Sequence, residues 1–183
     1  MRDDSGTSQG ERYEMCPICS SPVTLWRTKN VDNKNYRLDL CKSCGYAFVN
    51  PRPAAGFLKD YYVRGPARRQ IHSLESVLER EWVYPNSTVD AKRLIKTVKA
   101  LTGKKAAMNF LDVGCGYGFF SKAALTAGFR VTALELAENE INVAREMTGL
   151  NPIASSFEEF ECAPEFFNVI LMSQVLEHAA DIN

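Results

Sequence analysis

Ten residues, Asn109-Phe110-Leu111-Asp112-Val113-Gly114-Cys115-Gly116-Tyr117-Gly118, constrain this chain more than any other stretch. They open with apolar residues suited to a buried strand, end in alternate glycines, and run into Phe119-Phe120-Ser121-Lys122-Ala123-Ala124-Leu125. The pattern predicts strand, tight turn and helix. Glycines at such a turn permit positive φ and let a ligand press against bare backbone. The helix N-terminus adds free N–H groups for polar ligand atoms. A dinucleotide fingerprint, G-x-G-x-x-G, would need its third glycine at position 119, which is Phe; the glycine falls at 118 instead. Taken alone, the triplet also fits a loop that only needs close strand–helix packing.

With 183 residues, no formal net charge and 45% hydrophobic content, the chain has room for one full domain and a small satellite. Its first residues lack the apolar core of a secretory signal, and no run reaches the roughly 18 apolar residues of a membrane span. The expected compartment is the cytoplasm. Neutrality hides an asymmetry: residues 16–52 carry six Lys/Arg against two Asp/Glu, whereas residues 105–183 carry four against eleven. The acidic half suits a cationic ligand and argues against a nucleic-acid backbone.

Residues 1–14 are polar and read as a flexible tail, followed by a module over 15–53. Cys16-Pro17-Ile18-Cys19 and Cys41-Lys42-Ser43-Cys44-Gly45 are paired C-x-x-C knuckles. Their spacing suits a four-thiolate tetrahedral site on Cys16, Cys19, Cys41 and Cys44, for which structural zinc is the leading reading. Iron and two disulfides are the alternatives. Val23–Arg27 and Tyr36–Leu40 read as strands around a turn at Asp32–Asn35. Some forty residues bury too little core to fold alone, so a metal would supply the missing stability.

A helical connector is expected over 54–104. Ile71, Leu74, Leu78 and Trp82 recur at helical spacing. Ser87 with Asp90 suggests a helix cap, ahead of a face formed by Ala91, Leu94, Ile95, Val98 and Leu101. From 105 onward, strands at 109–113, 130–135, 152–155 and 166–173 alternate with helices. This β-α-β alternation predicts α/β architecture, a partial doubly wound parallel sheet. Phe166–Ser173, almost wholly apolar, reads as buried on both faces.

Ligands in such sheets bind at the carboxyl ends of the strands. Four features fall there: the Asp112–Gly118 loop, Glu135, Ser155–Glu159 and Ser173–His178. A carboxylate at 135 can accept both hydroxyls of a ribose. Together, residues 110–182 resemble the cofactor-binding half of class I methyltransferases that use S-adenosylmethionine (SAM). Val175-Leu176-Glu177-His178-Ala179-Ala180-Asp181 is similar to the V-L-E-H-x-x-D segment of one large branch. The resemblance implies Gly114, Gly116 and Gly118 around the methionine moiety, with Cys115 and Tyr117 in the same loop and Asp112 near its amino group. It implies Glu135 and Leu136 at the ribose, Ser156 and Phe157 beside the adenine, and Ser173 bordering the site. Glu177 and His178 are the candidates for a base; His178 equally suits helix capping. Asn168 stands where that branch usually has Asp, and Ser155 where Gly is common.

The cysteine knuckles followed by Asn50-Pro51-Arg52-Pro53 also resemble members with a preceding zinc module, some of which methylate sugar carbons. The expected activity is therefore methyl transfer from SAM to a small-molecule or sugar acceptor. The different-class alternative is a zinc-ribbon adaptor whose SAM-like domain is inactive. Cys115 reads as a small packing residue, Cys162 as a lone cysteine, and His72 as helix surface. Tyr61-Tyr62 read as packing under the connector or as a cover for the cofactor. A class I sheet has the strand order 3-2-1-4-5-7-6, of which only the first four are recognisable. That suggests a fragment with weak turnover, prone to self-association through the exposed edge of strand 166–173.

Overall fold

In a computed structural model the chain divides into two compact units, Met1–Tyr61 with His178–Asn183, and Tyr62–Glu177. The structure describes residues 10–31, 33–53, 72–80, 87–103 and 108–179. Ile71, Trp82, Tyr61-Tyr62 and the end of the V-L-E-H-x-x-D segment lie outside the described residues.

The first unit is a three-stranded antiparallel sheet, β1 (Val23–Val31), β2 (Lys34–Cys41) and β3 (Ala47–Val49). Its hairpin is longer than the sequence suggests. Pairing continues to Val31↔Lys34 because Asn33 takes the left-handed conformation (φ 61°) that a tight hairpin turn needs. The strand β3 went unread, since three residues carry no periodicity. Residues 10–14 join this unit rather than trail from it. Gly10 N–H donates to Arg52 O at 2.8 Å, and Tyr13 N–H to the Asn50 side chain at 2.9 Å. Asn50, fully buried, also donates to Tyr13 O and to Asp39 Oδ2, each at 2.7 Å. Arg37 completes the Asp39 shell through Nε at 2.7 Å.

In the second unit β4 (Asn109–Val113) lies between β5 (Arg130–Leu134) and β6 (Val169–Met172), all parallel. Helices α1 (Leu74–Glu79), α2 (Thr88–Thr102), α3 (Phe119–Thr126) and α4 (Glu138–Thr148) accompany the sheet. The expected third strand reduces to one parallel bridge, Leu134↔Ile153, on the outer side of β5. The order is thus the expected 3-2-1-4. Side-chain alternation along β4 sends Phe110 into a cluster with Ile95, Ala124 and Phe129, while Leu111 and Val113 pack with Leu134 on the opposite face.

Several expectations need correction. The fourth strand is only four residues long and half exposed, with Ile170 60% accessible. Among the described residues nothing pairs with its outer edge, so an apolar composition did not guarantee burial. In α1 the buried residue is Val77, packed near Ala91, Phe119, Phe120 and Val143, whereas Leu78 is exposed. Leu101 is also exposed, one turn beyond the last contact of α2 with the core. Ser87 does sit at the N-cap of α2, but its side chain makes no cap bond. Asp90 pairs instead with Arg93 at 3.1 Å.

Asn50→Ala should destabilise the first unit by about 2–4 kcal/mol, because it strips partners from the buried Asp39 carboxylate and from both Tyr13 backbone groups. A denaturant titration read from the Tyr13 and Phe48 NMR signals checks this. An unchanged midpoint would remove Asn50 from its central role.

Candidate functional site

The carboxyl end of β4 leads directly into the glycine loop. Gly114, Gly116 and Gly118 have φ of 65°, 53° and 88°, values that side chains resist. Two of them are also pressed by neighbours. A Cβ on Gly114 would lie 2.7 Å from Val175 Cγ2, so the segment after β6 seats directly on the loop. A Cβ on Gly118 would meet Thr148 at 3.0 Å and Ala144 at 3.2 Å, so this glycine lets α3 start close against α4. Cys115 N–H donates to Leu134 O at 2.9 Å, carrying the sheet ladder one step into the loop.

Glu135 follows β5 and is almost fully buried. Its Oε2 accepts Gly116 N–H at 2.9 Å; Oε1 accepts Leu136 N–H at 2.8 Å and Ala137 N–H at 3.0 Å. One carboxylate therefore fastens the middle of the glycine loop to the entry of α4. Its oxygens have about four lone-pair sites, so three inner bonds leave acceptor capacity for a ligand hydroxyl. Asp112, on the opposite side of β4 from Leu111 and Val113, accepts the Ser121 hydroxyl through Oδ2 at 2.6 Å. Burial pushes its carboxyl up to about 6, the Ser121 bonds pull it back, and the charge of Glu135 adds to the rise. Burial, then Asp112 and Glu135, push the Cys115 thiol up as well. Cys115 therefore stays protonated, as fits a packing residue.

The structure thus joins Asp112, Gly114, Cys115, Gly116, Tyr117, Gly118, Glu135 and Leu136 into one cluster of loop and strand ends. Phe157 packs over Leu111, Val113 and Leu134 in company with Phe167 and Val175. Ser156 heads the turn beside it, its Oγ accepting Glu159 N–H at 3.3 Å. Ser173 is half-buried just past β6. Glu177 and His178 are exposed in a single 3₁₀ turn, Leu176–His178. The sequence gives no role here to Ser121 or to Val175 as the residue closing on Gly114, and His72, read as helix surface, instead precedes α1, half-buried, with its ring edge-on to Tyr117 at 5.8 Å. Ser121 had a signal, since it sits in the first turn of the helix that the loop opens.

In the first unit the four sulfurs Cys16, Cys19, Cys41 and Cys44 all lie within 4.8 Å of one another. Cys16–Cys44 and Cys19–Cys41 are 3.6 and 3.5 Å apart, far beyond a disulfide. A tetrahedral ion with bonds of about 2.3 Å needs sulfurs about 3.8 Å apart. The two knuckles repeat one backbone design. Ser20 N–H bonds Cys16 O and Gly45 N–H bonds Cys41 O, both at 2.9 Å, and both donors have positive φ. Without a cation the sulfurs compete for protons. Bonds from Ser21 bring Cys19 down to about 6. Cys44, despite the Tyr46 backbone amide, is pushed up to about 12 by lost hydration and by its neighbouring sulfurs. The cluster fits a divalent ion.

Gly114→Ala combines left-handed strain with the clash against Val175, and should cost about 2 kcal/mol or more. Val175→Ala in that background should restore the steric part alone, as measured by denaturant unfolding. Full restoration would show that φ is not limiting there.

Residues 111–183 match the family model described as a methyltransferase domain. The ubiquinone biosynthesis O-methyltransferase of Actinobacillus pleuropneumoniae serotype 5b (strain L20) is 30% identical over 119 residues, covering 55% of this chain and 49% of that protein. The enzyme of the same name from Bordetella parapertussis (strain 12822 / ATCC BAA-587 / NCTC 13253) is 34% identical over 93 residues, covering 47% and 36%. The chain spans about half the length of the curated relatives it matches. Among solved structures, magnesium protoporphyrin IX methyltransferase (ChlM) from Synechocystis PCC 6803 with bound SAH aligns at a TM-score of 0.49 and 16% identity, covering 68% of this chain and 60% of that one. Plantazolicin methyltransferase BpumL in complex with a triazolic desmethylPZN analog and SAH aligns at 0.49 and 22%, covering 68% and 48%. Residues 111–183 thus match a methyltransferase domain, and the glycine loop and the acidic residue after β5, in order on one parallel sheet, support a class I SAM-dependent methyltransferase.

Proposed function

We propose that the second unit binds SAM across the glycine loop and serves methyl transfer to a small-molecule acceptor. The observation that carries this reading is the Glu135 carboxylate bonded to Gly116 N–H, which couples the loop to the position where a ribose would lie. Gly116, whose Cβ position has no neighbour nearer than Glu140 Oε2 at 3.8 Å, would leave backbone open to the methionine moiety, with Gly114 and Gly118 holding the turn on either side. Glu135 would accept from the ribose hydroxyls, Leu136 would flank them, and Ser156 and Phe157 would border the adenine. Asp112 and Glu135 together set a negative field at a site for a cationic ligand.

Bound SAM supplies a methyl group on a sulfonium, which its positive charge activates for in-line displacement. The chain's task is then positioning, plus removal of a proton where the acceptor carries one. Glu177 and His178 are our candidates for that base. The relatives named as O-methyltransferases favour an oxygen on a small molecule as acceptor over a sugar carbon. Among the described residues no helix is long and apolar enough to cross a membrane.

Calorimetry with SAM and S-adenosylhomocysteine tests the cofactor reading. Glu135→Ala should weaken binding by about 1.5–3 kcal/mol, the scale of hydrogen bonds to a charged group. Unchanged affinity would defeat the ribose role. Binding without methyl transfer to any of a panel of phenolic, carboxylate and sugar acceptors would favour the adaptor reading.

For the cysteine cluster we infer a structural zinc, since four thiolates leave no open coordination position. Elemental analysis should return one zinc per chain, and Cys41→Ser should lose the metal and unfold the first unit. Iron in its place, or a metal-free chain with an intact first unit, would overturn this.

A further inference from the structure

Beneath the glycine loop lies a buried contact that the reading above does not use. Ser121 projects from the first turn of α3, with its hydroxyl 2.6 Å from Asp112 Oδ2; the two residues are 1% and 2% accessible. A carboxylate in that position loses nearly all its hydration. Its register neighbours in the sheet, Ala133 on β5 and Leu171 on β6, bring no charge. From the loop it faces the Cys115 thiol, and from the end of β5 the Glu135 carboxylate, which opposes its ionisation. The groups that favour the charged form are the hydroxyl and backbone N–H of Ser121.

We propose that Ser121 is a positioning residue for the cofactor site, its hydroxyl fixing the Asp112 carboxylate as a lasting negative charge under the glycine loop. The inference rests on SAM being the ligand. A small residue packed at the start of a helix could equally be Ala or Gly if only space mattered. Here the hydroxyl does what bulk water would do elsewhere, donating to an anion that the fold has dehydrated. The direction of pH dependence follows. Burial raises the Asp112 carboxyl to about 6, so the charge is present above that value and lost as the pH falls through it. Affinity for a cationic ligand should therefore climb through pH 6 and level off above it. Removal of the Ser121 donor lifts the carboxyl further and moves the whole rise to higher pH.

The experiment is a calorimetric titration of the full chain with SAM at half-unit steps from about pH 5.5 to 8.5, near the range where the charge changes. For Ser121→Ala, the rise in affinity should shift upward by about one pH unit, with a loss of roughly eightfold at pH 5.5 and threefold near pH 6.5 that all but vanishes at pH 8.5. Ser121→Thr, which keeps the hydroxyl, should return the profile toward that of the native chain. A loss in Ser121→Ala of equal size at every pH would mean packing alone and overturn the proposal, as would an unchanged profile. A native chain that binds no SAM at any pH would instead overturn the functional reading on which the proposal stands. Circular dichroism at each pH separates both outcomes from unfolding.

Discussion

Everything around the candidate site hangs on one carboxylate that accepts three backbone N–H groups. The glycine loop leaves its amides without the partners that a helix or sheet would supply, and such groups are costly to bury unpaired. Glu135 resolves this for Gly116 at the centre of the loop and for Leu136 and Ala137 at the entry to α4. Position 135 is reached only because β5 pairs with β4 in a register that sets Leu134 beside Val113. Sheet, loop and helix are fixed together by that pairing.

The first unit meets a different constraint. Its sheet is small and mostly exposed, and Phe48, Cys16 and Cys41 supply its buried apolar side chains. Two polar devices make up the deficit. At one end the knuckles gather four sulfurs. In the body of the sheet Asn50 spans from Tyr13 to Asp39, tying the leading segment to the hairpin. Asn50 satisfies the amide donor and acceptor groups it buries, as a polar residue without solvent must. Asn50, the first residue of the N-P-R-P stretch that marks the end of the module in the sequence, is thus part of its core.

How much could be read in advance depended on whether a residue's job is set locally. Alternate glycines require positive φ wherever they occur, and C-x-x-C brings two sulfurs to one turn, so Gly114–Gly118 and the cysteine quartet were legible. Gly149 likewise ends α4 in the left-handed conformation that its position suggested. Burial is not local. Phe166–Ser173 has a composition suited to a central strand, yet β6 lies at the edge of the described sheet and Ile170 faces outward. Leu78 and Val77 are neighbours of similar hydrophobicity, and only the direction from which Phe119 and Phe120 approach α1 decides which is covered. For Ser121 the sequence shows its place in the first turn of the helix, but not that the strand before it carries a buried acid within reach of the hydroxyl.

The distribution of charge gives these contacts a common sense. Residues 105–183 carry an excess of seven carboxylates over cations, counted from eleven Asp/Glu and four Lys/Arg. Two of those carboxylates, Asp112 and Glu135, are buried, and the charge of Glu135 adds to the rise of the Asp112 carboxyl. Such an arrangement works against folding in the absence of a ligand, since desolvation and the charge of Glu135 both disfavour the ionised Asp112. It works in favour of binding a cation, because the cation relieves a repulsion that the fold has already built. Ligand affinity and loop stability then draw on the same interaction, so a bound cation should stiffen the segment that its carboxylates hold. The neutral partners of the pair, the Ser121 hydroxyl and the amides of Gly116, Leu136 and Ala137, are what let the chain carry that charge before any ligand arrives.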